Sequence, residues 1–154
     1  MRLFLMRHGD AVDEHVNPDR PLSELGIVEV KKVAQFLKNA KMEFNAIYHS
    51  TKIRAKQSAE LIKKILHTSF ALQMKEYLSP NSPREDILKD IARDAQERNV
   101  LIVGHLPFLS YLVSQLVTGD EHKSLLTMST GTLVILEKNS EAWSFVAMIT
   151  PEFL

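Results

Sequence analysis

The chain has 154 residues, 45% of them hydrophobic and 25% charged, which suits one soluble domain and excludes disorder. Its 19 basic and 19 acidic residues give a formal net charge of +0, which argues against nucleic-acid binding through bulk charge but leaves room for a local anion pocket. Cysteine is absent (0 residues), so disulfides, thiolate zinc sites and cysteine nucleophiles are excluded.

Residues 3–6, Leu-Phe-Leu-Met, are a short continuous apolar run, the pattern of a strand buried on both faces. Across residues 23–39, Val30, Val33, Ala34 and Leu37 recur at helical spacing and predict an amphipathic helix. A second strand is expected at 45–49, and a second helix at 51–66 with Ala55, Ala59, Ile62 and Leu66 on one face. Residues 70–77 read as a third strand. A third helix is expected to start near Ser82, with Ser82 and Glu85 at capping-box spacing and Pro83 at the first helical position. Residues 100–103, Val-Leu-Ile-Val, are the clearest buried strand, and Leu109, Leu112, Val113 and Leu116 mark a fourth helix. Strands at 132–136 and 143–149, joined by the turn-forming Asn139 and Ser140, close the chain.

This alternation predicts an α/β fold: a three-layer α/β/α sandwich with a mostly parallel sheet and a C-terminal antiparallel hairpin, as a single domain over residues 1–154. No stretch approaches the ~20 apolar residues of a membrane span, and the apolar opening is too short for a signal peptide. A cytoplasmic protein with no membrane or nucleic-acid partner is expected. The five glycines form neither a G-x-G-x-x-G nor a G-x-x-x-x-G-K-[ST] loop, so the common nucleotide signatures are missing.

In such sheets ligands sit beyond the carboxyl ends of the strands. The first strand ends in Arg7-His8-Gly9-Asp10. The second ends in His49-Ser50, with Arg54 and Gln57 on the opening turns of the next helix. The strand at 100–103 ends in Gly104-His105, before Leu106-Pro107 and a helix start. Three strands thus deliver Arg, His, Ser, Arg and His to one edge, where Asp10 is the only nearby acid. Helix N-termini near Ser50 and Pro107 add partial positive charge. The fitting guest is a compact dianion, above all a phosphoryl group. Taken singly, each residue has a plainer explanation: Ser50 as an N-cap, Arg54 as a solvated cation, Glu85 as a capping partner, and His15, His67 and His122 as filler or surface residues. Arg54 at a helix start opposes the helix dipole, which makes sense if an anion lies between.

Arg7-His8-Gly9 after an N-terminal strand resembles the R-H-G signature of the histidine phosphatase (phosphoglycerate-mutase-like) superfamily. His49 to Ser58, HSTKIRAKQS, resembles that family's S-x-x-x-R-A-x-Q-T stretch, with Ser58 in place of the usual Thr. Gly104-His105 matches its second histidine. The likeness runs over nearly the whole chain. Met6 to Ala11, Arg20-Pro21-Leu22-Ser23, Gly104 to Pro107 and the absence of room for a lid are similar to the small SixA-type phosphohistidine phosphatases.

The resemblance implies that His8 is the nucleophile and forms a covalent phosphohistidine, its other ring nitrogen held by an acceptor such as a backbone carbonyl. Arg7 and Arg54 would grip the non-bridging oxygens bidentately, and His105 would add a donor. Arg20, Ser50 and Gln57 are further candidates for substrate binding. No cofactor and no metal is expected; His8, His105 and Asp10 lack metal-motif spacing. An alkoxide leaving group needs a general acid, and after the third strand only Glu76 offers a carboxylate, whereas phosphoimidazole leaves readily once protonated. The expected partner is therefore a phosphohistidine-bearing signalling protein, with phosphate or other small oxyanions as site ligands. The alternatives are a small-molecule phosphomonoesterase of the same superfamily and a non-catalytic phosphate-binding module.

Overall fold

The computed structural model describes residues 1–94 and 99–154. In chain order the elements are β1 (Arg2–Arg7), α1 (Glu24–Asn39), β2 (Ala46–His49), α2 (Ile53–Leu66), β3 (Gln73–Met74), α3 (Glu85–Asp94), β4 (Val100–Gly104), α4 (Phe108–Thr118), β5 (Leu133–Asn139) and β6 (Ala142–Ile149). They form one six-stranded sheet of order β3-β2-β4-β1-β5-β6. The first four strands in that order run parallel, and β5 and β6 are antiparallel to their neighbours. This is the expected α/β sandwich with its C-terminal hairpin.

Alternation along the strands divides the apolar side chains between two cores. Phe4, Met6, Ile47, Leu101, Val103 and Ile135 face α1 and α2, where Val30, Val33, Leu37, Ala55 and Ile62 meet them. Leu3, Leu5, Tyr48, Ile102, Val134 and Leu136 face the other way, onto Ile87 and Ile91 of α3 and Phe108, Leu109 and Leu112 of α4. With both faces covered, β1 and β4 are buried throughout their middles, which is why they read as unbroken apolar runs. Among the described residues no helix is long and apolar enough to cross a membrane.

Three local expectations are corrected. The third strand shrinks from 70–77 to Gln73–Met74, because β3 is an edge strand paired only with Tyr48 and His49. The chain then turns through a short 3₁₀ helix, Glu76–Leu78, which buries Leu78 and brings the Tyr77 hydroxyl to Asp90. The helix expected from Ser82 starts at Glu85 instead. Arg84 supplies the first accepting carbonyl, to Leu88 N–H, and its guanidinium is tied to Ser82 O and Glu121, so no capping box forms. The cap position of α2 is held by Lys52, not by Ser50, whose hydroxyl is engaged elsewhere.

Candidate active site

The strands β2, β4 and β1 are neighbours, so their carboxyl ends open side by side. His8 N–H donates to Gly104 O (3.1 Å) and Ser50 N–H to Val103 O (3.3 Å), which carries the sheet's register one residue past the strands. His8, Ser50 and His105 leave the sheet together, and all three are buried, at 6%, 0% and 2% exposure. The rings of His8 and His105 lie 4.9 Å apart, tilted by 54°.

The glycine after His8 has a steric reason. A Cβ at Gly9 would lie 2.6 Å from Gly26 O and 2.8 Å from Val30 Cγ2, so α1 passes directly against this turn. Gly9 N–H donates to Ser58 Oγ (3.1 Å), and Ser58 donates to Arg54 O (2.8 Å). The Ser58 hydroxyl therefore links the His8 turn to the helix that carries Arg54.

His8 is held in one tautomer. Its Nδ1 is 2.7 Å from Gly9 O, which can only accept, and Arg54 Nε–H donates to its Nε2 at 3.3 Å. The proton is on Nδ1, and Nε2 carries the lone pair. A backbone carbonyl is the expected kind of acceptor, and here it belongs to the next residue. Burial first, then the cations Arg54, Arg7 and Arg20, push the His8 pKa down to about 4. Burial, His8, Arg54, Lys52 and Arg7 push His105 down to about 3. Both imidazoles are neutral at neutral pH.

Arg7 donates from Nη1 to Met128 O (2.7 Å), and its Nε is buried with no partner among the described residues. Desolvation lowers the pKa of both Arg7 and Arg54, and neighbouring arginines add to the effect. Arg20 stands at the base of a loop closed by Val12 N–H to Pro21 O (2.8 Å), with its Nε on Val12 O (3.2 Å) and a left-handed φ of 48°. It is close enough to lower the pKa of His8, Arg7 and Arg54. Gln57 is turned to that loop as well: its Oε1 accepts Leu22 N–H at 2.7 Å. Glu76 is exposed on the 3₁₀ turn. Asp10 accepts the Ser23 hydroxyl at 2.6 Å.

One participant carries no signal in the sequence. Glu29 of α1 accepts Asp10 N–H (2.7 Å) through one oxygen and the Thr130 hydroxyl (2.9 Å) through the other. It thereby ties the His8 turn to the 128–131 loop that holds Arg7. An acid on a helix flank looks solvated until that loop folds back. No carboxylate stands among the largest influences on the pKa of His8 or His105 within the described residues. The result is a buried neutral imidazole with a bare Nε2, beside Arg54 and within the electrostatic reach of Arg7 and Arg20, an arrangement complementary to a phosphoryl dianion.

Comparison with known proteins points the same way. The sequence pattern of the histidine phosphatase superfamily (branch 1) matches residues 3–78. The phosphohistidine phosphatase SixA of Escherichia coli is 27% identical over 148 residues, covering 94% of this chain and 92% of that protein. A solved structure of the protein histidine phosphatase SixA, complexed with tungstate, superposes with a TM-score of 0.87 at 26% identity, over 99% of both chains. The phosphoserine phosphatase of Entamoeba histolytica shares the fold, with a TM-score of 0.77 at 14% identity over 99% of this chain and 98% of that one. Since its matching pattern spans the Arg7-His8-Gly9 turn and the Arg54 helix, and its relatives are phosphatases, the chain is a hydrolase that belongs to the histidine phosphatase superfamily.

Proposed function

We propose that this chain, as a single domain over residues 1–154, removes phosphoryl groups from phosphohistidine on a signalling protein, with His8 as the nucleophile. The observation that carries the reading is the His8 tautomer. Nδ1–H on Gly9 O leaves the Nε2 lone pair facing the arginines, and the lowered pKa keeps it free of a proton.

The Nε2 lone pair attacks phosphorus in line. The new P–N bond forms as the bond to the substrate imidazole breaks; that ring, already protonated from solvent on its other nitrogen, takes the electron pair of the broken bond and leaves as neutral imidazole. Arg54 exchanges its hydrogen bond to Nε2 for one to a phosphoryl oxygen, and Arg7 and Arg20 balance the remaining charge. Water then attacks phosphorus, the P–N bond breaks, the pair returns to Nε2 and inorganic phosphate departs. The tungstate in the SixA structure supports an oxyanion guest for this site.

The choice of leaving group rests on acid catalysis. Within the described residues no carboxylate stands among the largest influences on either histidine, and Glu76 is exposed on its turn. An alkoxide leaving group lacks a donor here, whereas an imidazole leaves easily once protonated. The test is turnover of a phosphohistidine-bearing protein against phosphoserine and sugar phosphates at equal enzyme. Faster release from the N-linked substrate is expected, with acid-labile label trapped on His8. Faster cleavage of the esters would overturn the substrate assignment in favour of a small-molecule phosphatase.

A further inference from the structure

Ser50 and His105 form a buried pair whose hydrogen bonds can be counted. Ser50 Oγ is 2.5 Å from His105 Nε2, and Lys52 N–H donates to the same oxygen at 3.2 Å. His105 Nδ1 is buried with no partner among the described residues. A serine hydroxyl has one hydrogen and two lone pairs, and the Lys52 amide occupies one lone pair. Two arrangements are then open. If Ser50 donates to Nε2, the ring proton is on Nδ1 and one group is left unpaired, that N–H. If Nε2–H donates to Ser50, two groups are left unpaired: the serine hydrogen, which meets no other acceptor among the described residues, and the Nδ1 lone pair. A buried polar group without a partner is costly, so the arrangement with fewer of them prevails.

We infer that Ser50 is a positioning residue that donates its hydroxyl hydrogen to His105 Nε2 and so fixes the ring with its proton on Nδ1. The low pKa of His105 accords with a neutral ring that has only one proton to place. The hydroxyl sits at the end of β2 and the ring at the end of β4, so the bond also locks the orientation of His105 beside His8. The inference rests on the proposed function and deepens it, since the His105 ring lies 4.9 Å from the His8 ring that attacks phosphorus in that reading.

Histidine ¹⁵N NMR of the full resting chain tests it without using turnover. At neutral pH, His105 should show a protonated Nδ1 and a bare Nε2. In Ser50→Ala the ring should shift toward protonation at Nε2, and Ser50→Thr, which keeps a hydroxyl, should restore the wild-type pattern. In Ser50→Ala, kcat should fall about tenfold with little change in KM, the pattern of a lost alignment and not of lost binding. A wild-type ring protonated at Nε2, or an unchanged tautomer in Ser50→Ala, overturns the inference. The wild-type spectrum decides on its own if neither variant folds. Because it is read without substrate, a negative spectrum leaves the phosphatase reading standing, and failed turnover leaves the tautomer result intact.

Discussion

Replacing Gly26 by alanine sets two effects of opposite sign against each other. Helix propensity favours alanine by up to about 1 kcal/mol in a helix such as α1. The structure reverses the balance. A Cβ at position 26 would lie 2.8 Å from both the amide nitrogen and the carbonyl carbon of Asp10, and nearer still to its oxygen, where ordinary contact begins at 3.4 Å. The Asp10 carbonyl would have to withdraw by more than about 1 Å, as overpacked sites must. It is not free to do so. Asp10 N–H is held by Glu29, its carbonyl accepts Ser23 N–H, and its carboxylate accepts the Ser23 hydroxyl. Overpacking costs about 1–3 kcal/mol, and so close an approach to a tethered backbone puts this site at about 2–3, so a net loss of about 1–2 kcal/mol should remain after a gain in propensity of about 1 kcal/mol. For a chain of this size that lowers Tm by about 2–8 °C. Activity should suffer more than stability, because the displaced backbone adjoins Gly9, whose carbonyl holds the His8 ring. A shift approaching 1 Å in a catalytic group costs about 10²-fold, so kcat/KM should fall by about 10- to 100-fold. Thermal unfolding and steady-state kinetics on one preparation read both quantities. If the G26A variant melts at or above the wild type and keeps its kcat/KM, the interlock between α1 and the His8 turn does not constrain the site as argued.

Two further outcomes follow from the electrostatics. Arg54→Ala should lower kcat/KM by about 10²–10³-fold, the typical loss for one charge-stabilising donor, while Arg54→Lys recovers only part of it because lysine lacks the planar fork; NMR titration should also show the His8 pKa rising from about 4 once this cation is gone, and an unmoved pKa would refute the charge argument. His8 and His105 ionise at about 4 and about 3 in the folded chain against 6.5 ordinarily, so the stability they confer is complete above 6.5 and is lost as pH falls through those lower values. Urea unfolding between pH 7 and pH 4 should therefore lose less stability in a His105→Asn variant than in the wild type, and an equal loss would show that His105 is not buried neutral.

Much of this molecule was legible before any coordinates. Strands buried on both faces must be apolar at every position, so β1 and β4 declared themselves, and the helical spacing of Val30, Val33 and Leu37 did the same for α1. Because ligands gather where parallel strands end, the residues following those runs, His8 and His105, stood out with them. Short edge segments carry weaker signals. Residues 70–77 have strand-like composition, but pairing on one side sustains only Gln73–Met74, and α3 begins at Glu85, just past the Arg84 that pairs with Glu121. What tertiary structure alone decided is the direction of hydrogen bonds between distant segments. Gln57 turned out to brace Leu22, Ser50 to hold His105, and Glu29 to join the His8 turn to the 128–131 loop. Local sequence sets which backbone conformation each segment prefers, whereas those contacts span 35, 55 and 101 positions and exist only once the layers have packed.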